Sequence, residues 1–294
     1  MTTPLPALPE ADLDDDALAS ALAEGAGHVL LGLRSGVDAA GGDFEARAFK
    51  DAGDAAAQSW LAAALAHARP GDAVLSEEAK DDAARTGADR VWIIDPLDGT
   101  REFAERTADA GWRDDFAVHV ALWVRGHDDA TAGPGGLAAA AVALPARDLV
   151  HTTGAPSSVA DLDAGAEAVL RGDRPLRIAA SRSRPPAFVA ELAERDDVEL
   201  VPMGSAGVKV VSVVDGTVDA YVHGGGQYEW DSAAPVAVAL AAGHVSTRLD
   251  GSPLEYNRQD PWLPDLFVCH PALAAHLRAA LQEVGVAIKE GAQS

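Results

Sequence analysis

Trp92-Ile-Ile-Asp95-Pro96-Leu97-Asp98-Gly99-Thr100 is the stretch from which the rest of the chain can be read. The apolar run 91–94 has the composition of a buried strand. It stops at Asp95-Pro96 and leaves two carboxylates three residues apart at its mouth. Pro96 fixes φ and blocks continuation of the strand. Gly99 permits a left-handed turn and a close approach of backbone to ligand, and Thr100 can cap the helix that follows. Two carboxylates, the Leu97 carbonyl between them and N–H groups beyond suit a hard divalent cation next to an anion. Asp-Pro and Asp-Gly are also common turn words, but an ordinary turn does not call for the whole word at the end of a buried strand.

Two further acidic positions extend the pattern. Glu77 and Glu78 follow the short strand 73–75, and Asp231, in Glu229-Trp-Asp231-Ser-Ala-Ala, opens an apolar helix. Taken singly, the first pair reads as a solvated loop and Asp231 as an N-cap. Taken together, three acidic clusters stand at the ends of buried elements. There is no His/Cys cluster of zinc type, and the nine histidines lack ligand spacing. All-oxygen ligation selects Mg²⁺, Mn²⁺ or Ca²⁺. Gly224-Gly-Gly226 is followed by no Gly-Lys-Ser/Thr and reads as a flexible turn.

Around these positions the periodicity predicts helices over 11–33 and 54–68, and strands over 73–75, 91–94, 116–124, 137–144 and 149–153. A weakly ordered connection over 154–172 follows. Beyond it, strands over 176–180, 198–202, 218–223, 245–249 and 265–268 alternate with helices over 185–194, 205–214, 231–242 and 271–284. Strand-helix alternation indicates a layered α/β protein. At ~150 residues per domain, 294 residues suggest two units. We expect a half over 1–154 carrying Glu77 and Asp95–Thr100, and a half over 155–294 carrying Asp231 and substrate contacts.

The 46 acidic and 23 basic residues give a net charge of −23. Such a field argues against nucleic acid or an anionic membrane as partner. A phosphate ligand would have to be met locally by cations, N–H groups or a few Arg and Lys. No apolar run reaches the ~18 residues of a transmembrane helix, and the N-terminal segment has no basic region of signal-peptide type. Cys269, the one cysteine, lies in an apolar run and reads as a buried structural thiol, in keeping with a reducing cytoplasm.

Asp95-Pro-Leu-Asp98-Gly-Thr100, with Glu77 upstream and Trp230-Asp231-Ser-Ala-Ala downstream, resembles the inositol monophosphatase superfamily over roughly residues 12–285. Within it, Leu75-Ser-Glu77-Glu78, Gly99-Thr-Arg-Glu-Phe103, Ser181-Arg-Ser-Arg184, Gly204-Ser-Ala-Gly-Val-Lys209 and Gly225-Gly-Gln-Tyr-Glu-Trp-Asp231 look like the CysQ-type 3'(2'),5'-bisphosphate nucleotidases in their actinobacterial form. Inositol-specific members tend to carry an acid after the strand that precedes the Trp-Asp motif. Here that place holds His223.

The resemblance implies an α-β-α-β-α sandwich, dependence on Mg²⁺ (two or three ions, with Mn²⁺ able to substitute) and inhibition by lithium. It assigns Glu77, Asp95, the Leu97 carbonyl, Asp98 and Asp231 as metal ligands, with Asp95 as a bridge between ions. Thr100, supported by Asp54 on the second helix, would orient the attacking water and take its proton; Glu77 completes the catalytic set. The N–H groups of Gly99 and Thr100 would hold phosphate oxygens. Ser205 and Lys209 would meet the second phosphate or the nucleoside, while Lys209 also reads as part of a solvated helix face. Arg182 and Arg184 are further basic candidates. The implied substrate is a small phosphorylated nucleotide, 3'-phosphoadenosine 5'-phosphate. Inositol monophosphate and fructose 1,6-bisphosphate stand as alternatives, as do a non-catalytic sensor of metal and phosphate and a purely structural acidic protein. A homodimer is compatible with the resemblance.

Overall fold

The computed structural model describes residues 4–107, 111–183 and 185–288. Helix α1 (Asp15–Ala39) begins where Asp14 accepts a hydrogen bond from the Ala17 amide at 2.8 Å. Helix α2 (Ala46–Ala68) begins well before residue 54, because the Glu45 carboxylate takes the Arg47 and Ala48 amides. Its start was hidden by Lys50-Asp-Ala-Gly53, which interrupts the apolar period. The two helices pack closely at Gly25, where a Cβ would stand 2.0 Å from the Trp60 ring.

The first sheet contains β1 (Ala73–Ser76), β2 (Arg90–Asp98), β5 (Ala117–Arg125), β6 (Gly135–Leu144) and β7 (Leu149–Thr152) in that spatial order. Only β1 and β2 are parallel. Between β2 and β5 lie the single-turn α3 (Thr100–Phe103) and a small hairpin, β3 (Arg106–Thr107) with β4 (Gly111–Trp112). Residues 154–172, expected as a weakly ordered connection, contain a 3₁₀ turn and α4 (Asp163–Leu170), whose Ala166 and Val169 reach the core.

The remaining elements are β8 (Leu176–Ser181), α5 (Ala187–Leu192), β9 (Val198–Met203), α6 (Ala206–Val214), β10 (Ala220–Tyr228), α7 (Glu229–Ala241), β11 (Val245–Thr247), β12 (Trp262–Cys269) and α8 (Ala274–Glu283). The second sheet runs β11-β12-β10-β8-β9. Strand β10 continues through Gly224-Gly-Gly226, contrary to the expected turn. The glycines make a bulge, and Gly225 and Gly226 take φ of 114° and 93°.

Side-chain alternation sets the layers. Trp92, Ile94, Val118, Val120 and Leu122 face α1 and α2. Val91, Ile93, Ala121 and Trp123, on the opposite face, meet the valine-rich α6 and α7. Tyr221, Leu266 and Val268 of the second sheet close the same core from the far side. Ile178, Val222, Phe267 and Cys269 then face α4, α5 and α8. Helices α6 and α7 are therefore apolar nearly all round because they lie between two sheets. The protein is an α-β-α-β-α sandwich. Cys269 is buried, and burial pushes its thiol up to about 12.

Candidate active site

Two residues three apart on a regular strand point to opposite faces. In β2 they do not. Asp95 pairs with His119 of β5 and Asp98 pairs with Ala117, so one extra residue sits on β2 between them. The bulge sends Leu97 into the core under α1 and α2 and turns Asp95 and Asp98 to the same side. The strand thus runs through Asp95-Pro96 instead of stopping there; Pro96 is tolerated because it falls within the bulge. A Leu97 N–H bond to Asp95 Oδ1, 3.0 Å, fixes the carboxylate. Gly99 then takes φ of 89° and begins α3.

Asp231 comes to the same place from the first turn of α7. It is not the N-cap; Tyr228 is, and the Asp231 Oδ2 accepts the Tyr228 amide at 2.6 Å. Carboxylate oxygens of Asp95, Asp98 and Asp231 lie within 4.8 Å of one another. Glu77, just past β1, turns its carboxyl onto Asp95 although the residue as a whole is exposed. Burial and the charges of Asp231 and Asp98 push Glu77 up to about 7. Burial, then Glu77 and Asp98, raise Asp95 well above the carboxylate range. Burial and Asp98 bring Asp231 up to about 6. So many acids can shed their protons together only beside positive charge. An all-oxygen donor set of this kind fits hard divalent cations.

Asp98 is the exception, held at about 2. Burial opposes its charge, but His119, Lys209 and Ser205 more than offset that. The Ser205 hydroxyl donates to Asp98 Oδ2 at 2.5 Å and the Gly207 amide at 2.8 Å, while His119 Nε2 stands 3.2 Å away. His119 Nδ1 faces the Trp230 carbonyl at 3.0 Å. Both ring nitrogens thus face oxygen acceptors, an arrangement that suits the imidazolium. Burial pulls the His119 pKa down, and Asp98 more than reverses it. Gly207 is required here, since a Cβ would stand 2.0 Å from His119 Nε2.

Asp54, on α2, faces Thr100: the Thr100 hydroxyl lies 3.5 Å from Asp54 Oδ1 and 3.2 Å from the Leu97 carbonyl. Burial, followed by the charge of Glu78, pushes Asp54 up to about 7. Gly99, Thr100, Asp98, Asp231, Ser205 and Lys209 line one cleft of ≈ 440 Å³. Ser205 also caps α6 by accepting the Val208 amide at 3.0 Å. Lys209 is only 5% exposed, not on a solvated face. Its ammonium donates to the Gly204 and Ser205 carbonyls at 2.9 and 2.6 Å. Arg182 lines the cleft as well, paired with Asp115 and, at 3.2 Å, with Glu102. His223 also lines it, with Nε2 3.2 Å from the Gly226 carbonyl. Arg184 lies outside the described residues.

Sequence reasoning missed His119 and the two acids, Glu102 and Asp115, that pair with the basic candidate Arg182. The signal for His119 was a single ionisable residue within the apolar run 116–124. Nothing local announced Asp115, whose partner Arg182 is distant in the chain.

The inositol monophosphatase family model matches residues 14–133 and 159–285. A Mycobacterium leprae (strain TN) protein named 3'-phosphoadenosine 5'-phosphate phosphatase is 49% identical over 277 residues, 94% of this chain and 96% of the relative. The 3'(2'),5'-bisphosphate nucleotidase CysQ of Escherichia coli (strain K12) is 29% identical over 216 residues, 72% of this chain and 81% of the relative. Among solved structures, CysQ from Bacteroides thetaiotaomicron superposes with a TM-score of 0.65 at 24% identity, covering 89% of this chain and 99% of that one. The 2'AMP-bound structure of SaIMPase-II superposes at 0.66 with 18% identity, covering 91% and 94%. The structural likenesses speak to the fold alone. The family match takes in the stretches that carry Asp95, Asp98 and Asp231, so fold and sequence lead to one conclusion: the chain belongs to the inositol monophosphatase family.

Proposed function

We propose that this chain is a Mg²⁺-dependent phosphomonoesterase that removes the 3'-phosphate of 3'-phosphoadenosine 5'-phosphate, giving AMP and phosphate. The observation that carries the hydrolase reading is the convergence of the Asp95, Asp98 and Asp231 carboxylates, with Asp98, Asp231 and Thr100 lining one cleft. The substrate rests on the named activity of the 49% identical relative. We read residues 1–154 and 155–294 as two halves facing that cleft. The first brings Glu77 and Asp95–Thr100, the second Ser205, Lys209 and Asp231. A single cysteine, unable to form an intrachain disulfide, fits a reducing cytoplasm.

Glu77, Asp95, the Leu97 carbonyl, Asp98 and Asp231 would hold two or three Mg²⁺ ions, with Mn²⁺ able to replace them. When bound, such ions lower the pKa of water and neutralise charge on phosphate oxygens. The chain's own groups do the rest. Thr100 orients a water in line with the phosphorus–O3' bond and takes its proton, passing its own toward Asp54. The new bond forms to phosphorus as the bond to O3' breaks, and O3' takes up a proton from a solvent water to leave as the 3'-hydroxyl of AMP. Gly99 and Thr100 N–H groups steady the phosphate oxygens. Ser205, Lys209 and Arg182 face the nucleotide and its second phosphate.

Phosphate release from the adenosine bisphosphate is expected to exceed that from inositol 1-phosphate by at least ~10-fold in kcat/KM. A site with His223 in place of an acid forgoes a charged acceptor for a sugar hydroxyl, worth roughly 1.5–3 kcal/mol, and each ~1.4 kcal/mol is tenfold. Equal or faster hydrolysis of inositol 1-phosphate in competition assays at matched Mg²⁺ would replace the nucleotidase reading with an inositol one. Absence of phosphate release from every substrate, fructose 1,6-bisphosphate included, would leave the sensor.

Cation binding has its own signature. In the chelated protein, Glu77 and Asp231 bind protons more tightly folded than unfolded, about 7 against 4.5 and about 6 against 3.8. A raised acid costs stability as pH rises from the unfolded value through the folded one, here across roughly pH 4–7. Mg²⁺ takes over from those protons. Its addition is expected to raise the melting temperature more at about pH 8 than at about pH 5. An identical gain at both values, read by differential scanning fluorimetry, would remove these acids from the cation site.

A further inference from the structure

We propose that Tyr228 and Trp262 form the surface that receives the adenine ring of the substrate. This rests on the nucleotidase reading and deepens it, since no assignment above singles out the adenine ring itself. Beyond the glycine bulge of β10, Tyr228 pairs directly with Trp262 of β12. Residues opposite one another in an antiparallel pair project from the same face of the sheet. Tyr228 is 44% exposed and Trp262 46%. Among the described residues these are the two aromatic members of the exposed large apolar set, and they are neighbours. Aromatic area left in water at one spot points to a ligand.

The position fits a base attached to a phosphate at the acidic cluster. Tyr228 lines the cleft, and its amide is the donor to Asp231 at 2.6 Å. Its ring is braced by stacking on Trp230, with centroids 4.8 Å apart and planes 8° apart. Trp262 lies against Gly226, another cleft residue; a Cβ at Gly226 would stand 2.6 Å from the indole Nε1. The bulge that interrupts β10 thus brings two aromatic side chains to the edge of the phosphate site. A purine has a π face to stack there; inositol and sugar phosphates have none.

The test is steady-state hydrolysis by Tyr228→Ala, Trp262→Ala and the double variant, with 3'-phosphoadenosine 5'-phosphate and the base-free ribose 3,5-bisphosphate as substrates at saturating Mg²⁺. Each single variant is expected to raise KM for the adenosine compound about tenfold, in the range of base–aromatic stacking. Its preference for that compound over the base-free one should shrink by a similar factor, and Tyr228→Phe and Trp262→Phe should retain most of it. Melting temperatures within a few degrees of wild type identify folded variants, and the phenylalanine variants keep the test open if an alanine variant does not fold. An adenosine-compound KM unchanged in the double variant overturns the platform while leaving the nucleotidase reading intact. A KM that rises equally for both compounds also overturns it. Wild-type protein that hydrolyses no adenosine bisphosphate overturns the nucleotidase reading, and the platform with it.

Discussion

Asp98→Asn is expected to lower kcat by on the order of 10³-fold or more, with the fold retained. The structure gives Asp98 two jobs. One oxygen, Oδ2, is taken by Ser205, Gly207 and the His119 edge, all from the second half of the chain or the strand behind it. The carboxylate as a whole stands with Asp95 and Asp231 in the cluster. Asparagine has the same shape, and its carbonyl can still accept from Ser205 and Gly207. Its amide, however, presents donors instead of a negative charge, so a cation loses a charged ligand. Because His119 and Lys209 then lose their nearest anion, some stability should go as well, and the melting temperature separates that loss from the kinetic one. More than a tenth of wild-type kcat at saturating Mg²⁺ would take Asp98 out of the metal site.

The word around Asp98 was legible because its chemistry is local: two acids, a proline, a glycine and a threonine within one turn of chain. Its backbone was not. Asp95-Pro96 reads as the end of a strand, since proline cannot serve a regular ladder. The pairing of Asp98 with Ala117 shows a bulge instead, and a bulge depends on the partner strand. The same holds for Gly224-Gly-Gly226, a turn by composition and a strand because β12 pairs with it. The layers could be anticipated from alternating elements, yet α4 was hidden in a polar stretch with a narrow apolar stripe. His119 was hardest to foresee. A lone histidine in an apolar strand is more often a satisfied core residue, and only packing brings Asp98 and the Trp230 carbonyl to its two nitrogens.

Thr100→Val and Asp54→Asn should each lower kcat by roughly 10²–10⁴-fold, the usual range for removing a positioned proton acceptor. Thr100 stands at the start of α3, and its hydroxyl has two acceptors in view, Asp54 at 3.5 Å and the Leu97 carbonyl at 3.2 Å. To take a proton from water it must give its own to one of them. A carbonyl is a poor final acceptor, so the path leads to Asp54. The 3.5 Å separation is long for a hydroxyl donor, and such contacts often tighten only when substrate is bound. Asp54 is tied into α2 beside Gly53, where a Cβ would strike Phe103 at 2.6 Å, so helix and motif are already in close contact. Valine keeps the shape of threonine without the hydroxyl, and Thr100→Ser restores the hydroxyl without the methyl. The expected order of kcat is therefore wild type, Thr100→Ser, then Thr100→Val, with KM for the nucleotide changing little beside kcat. If Thr100 and Asp54 act as one relay, the double variant should be scarcely slower than either single one. Losses that multiply would show two independent roles, and a Thr100→Val enzyme retaining more than a third of wild-type kcat would end the relay assignment.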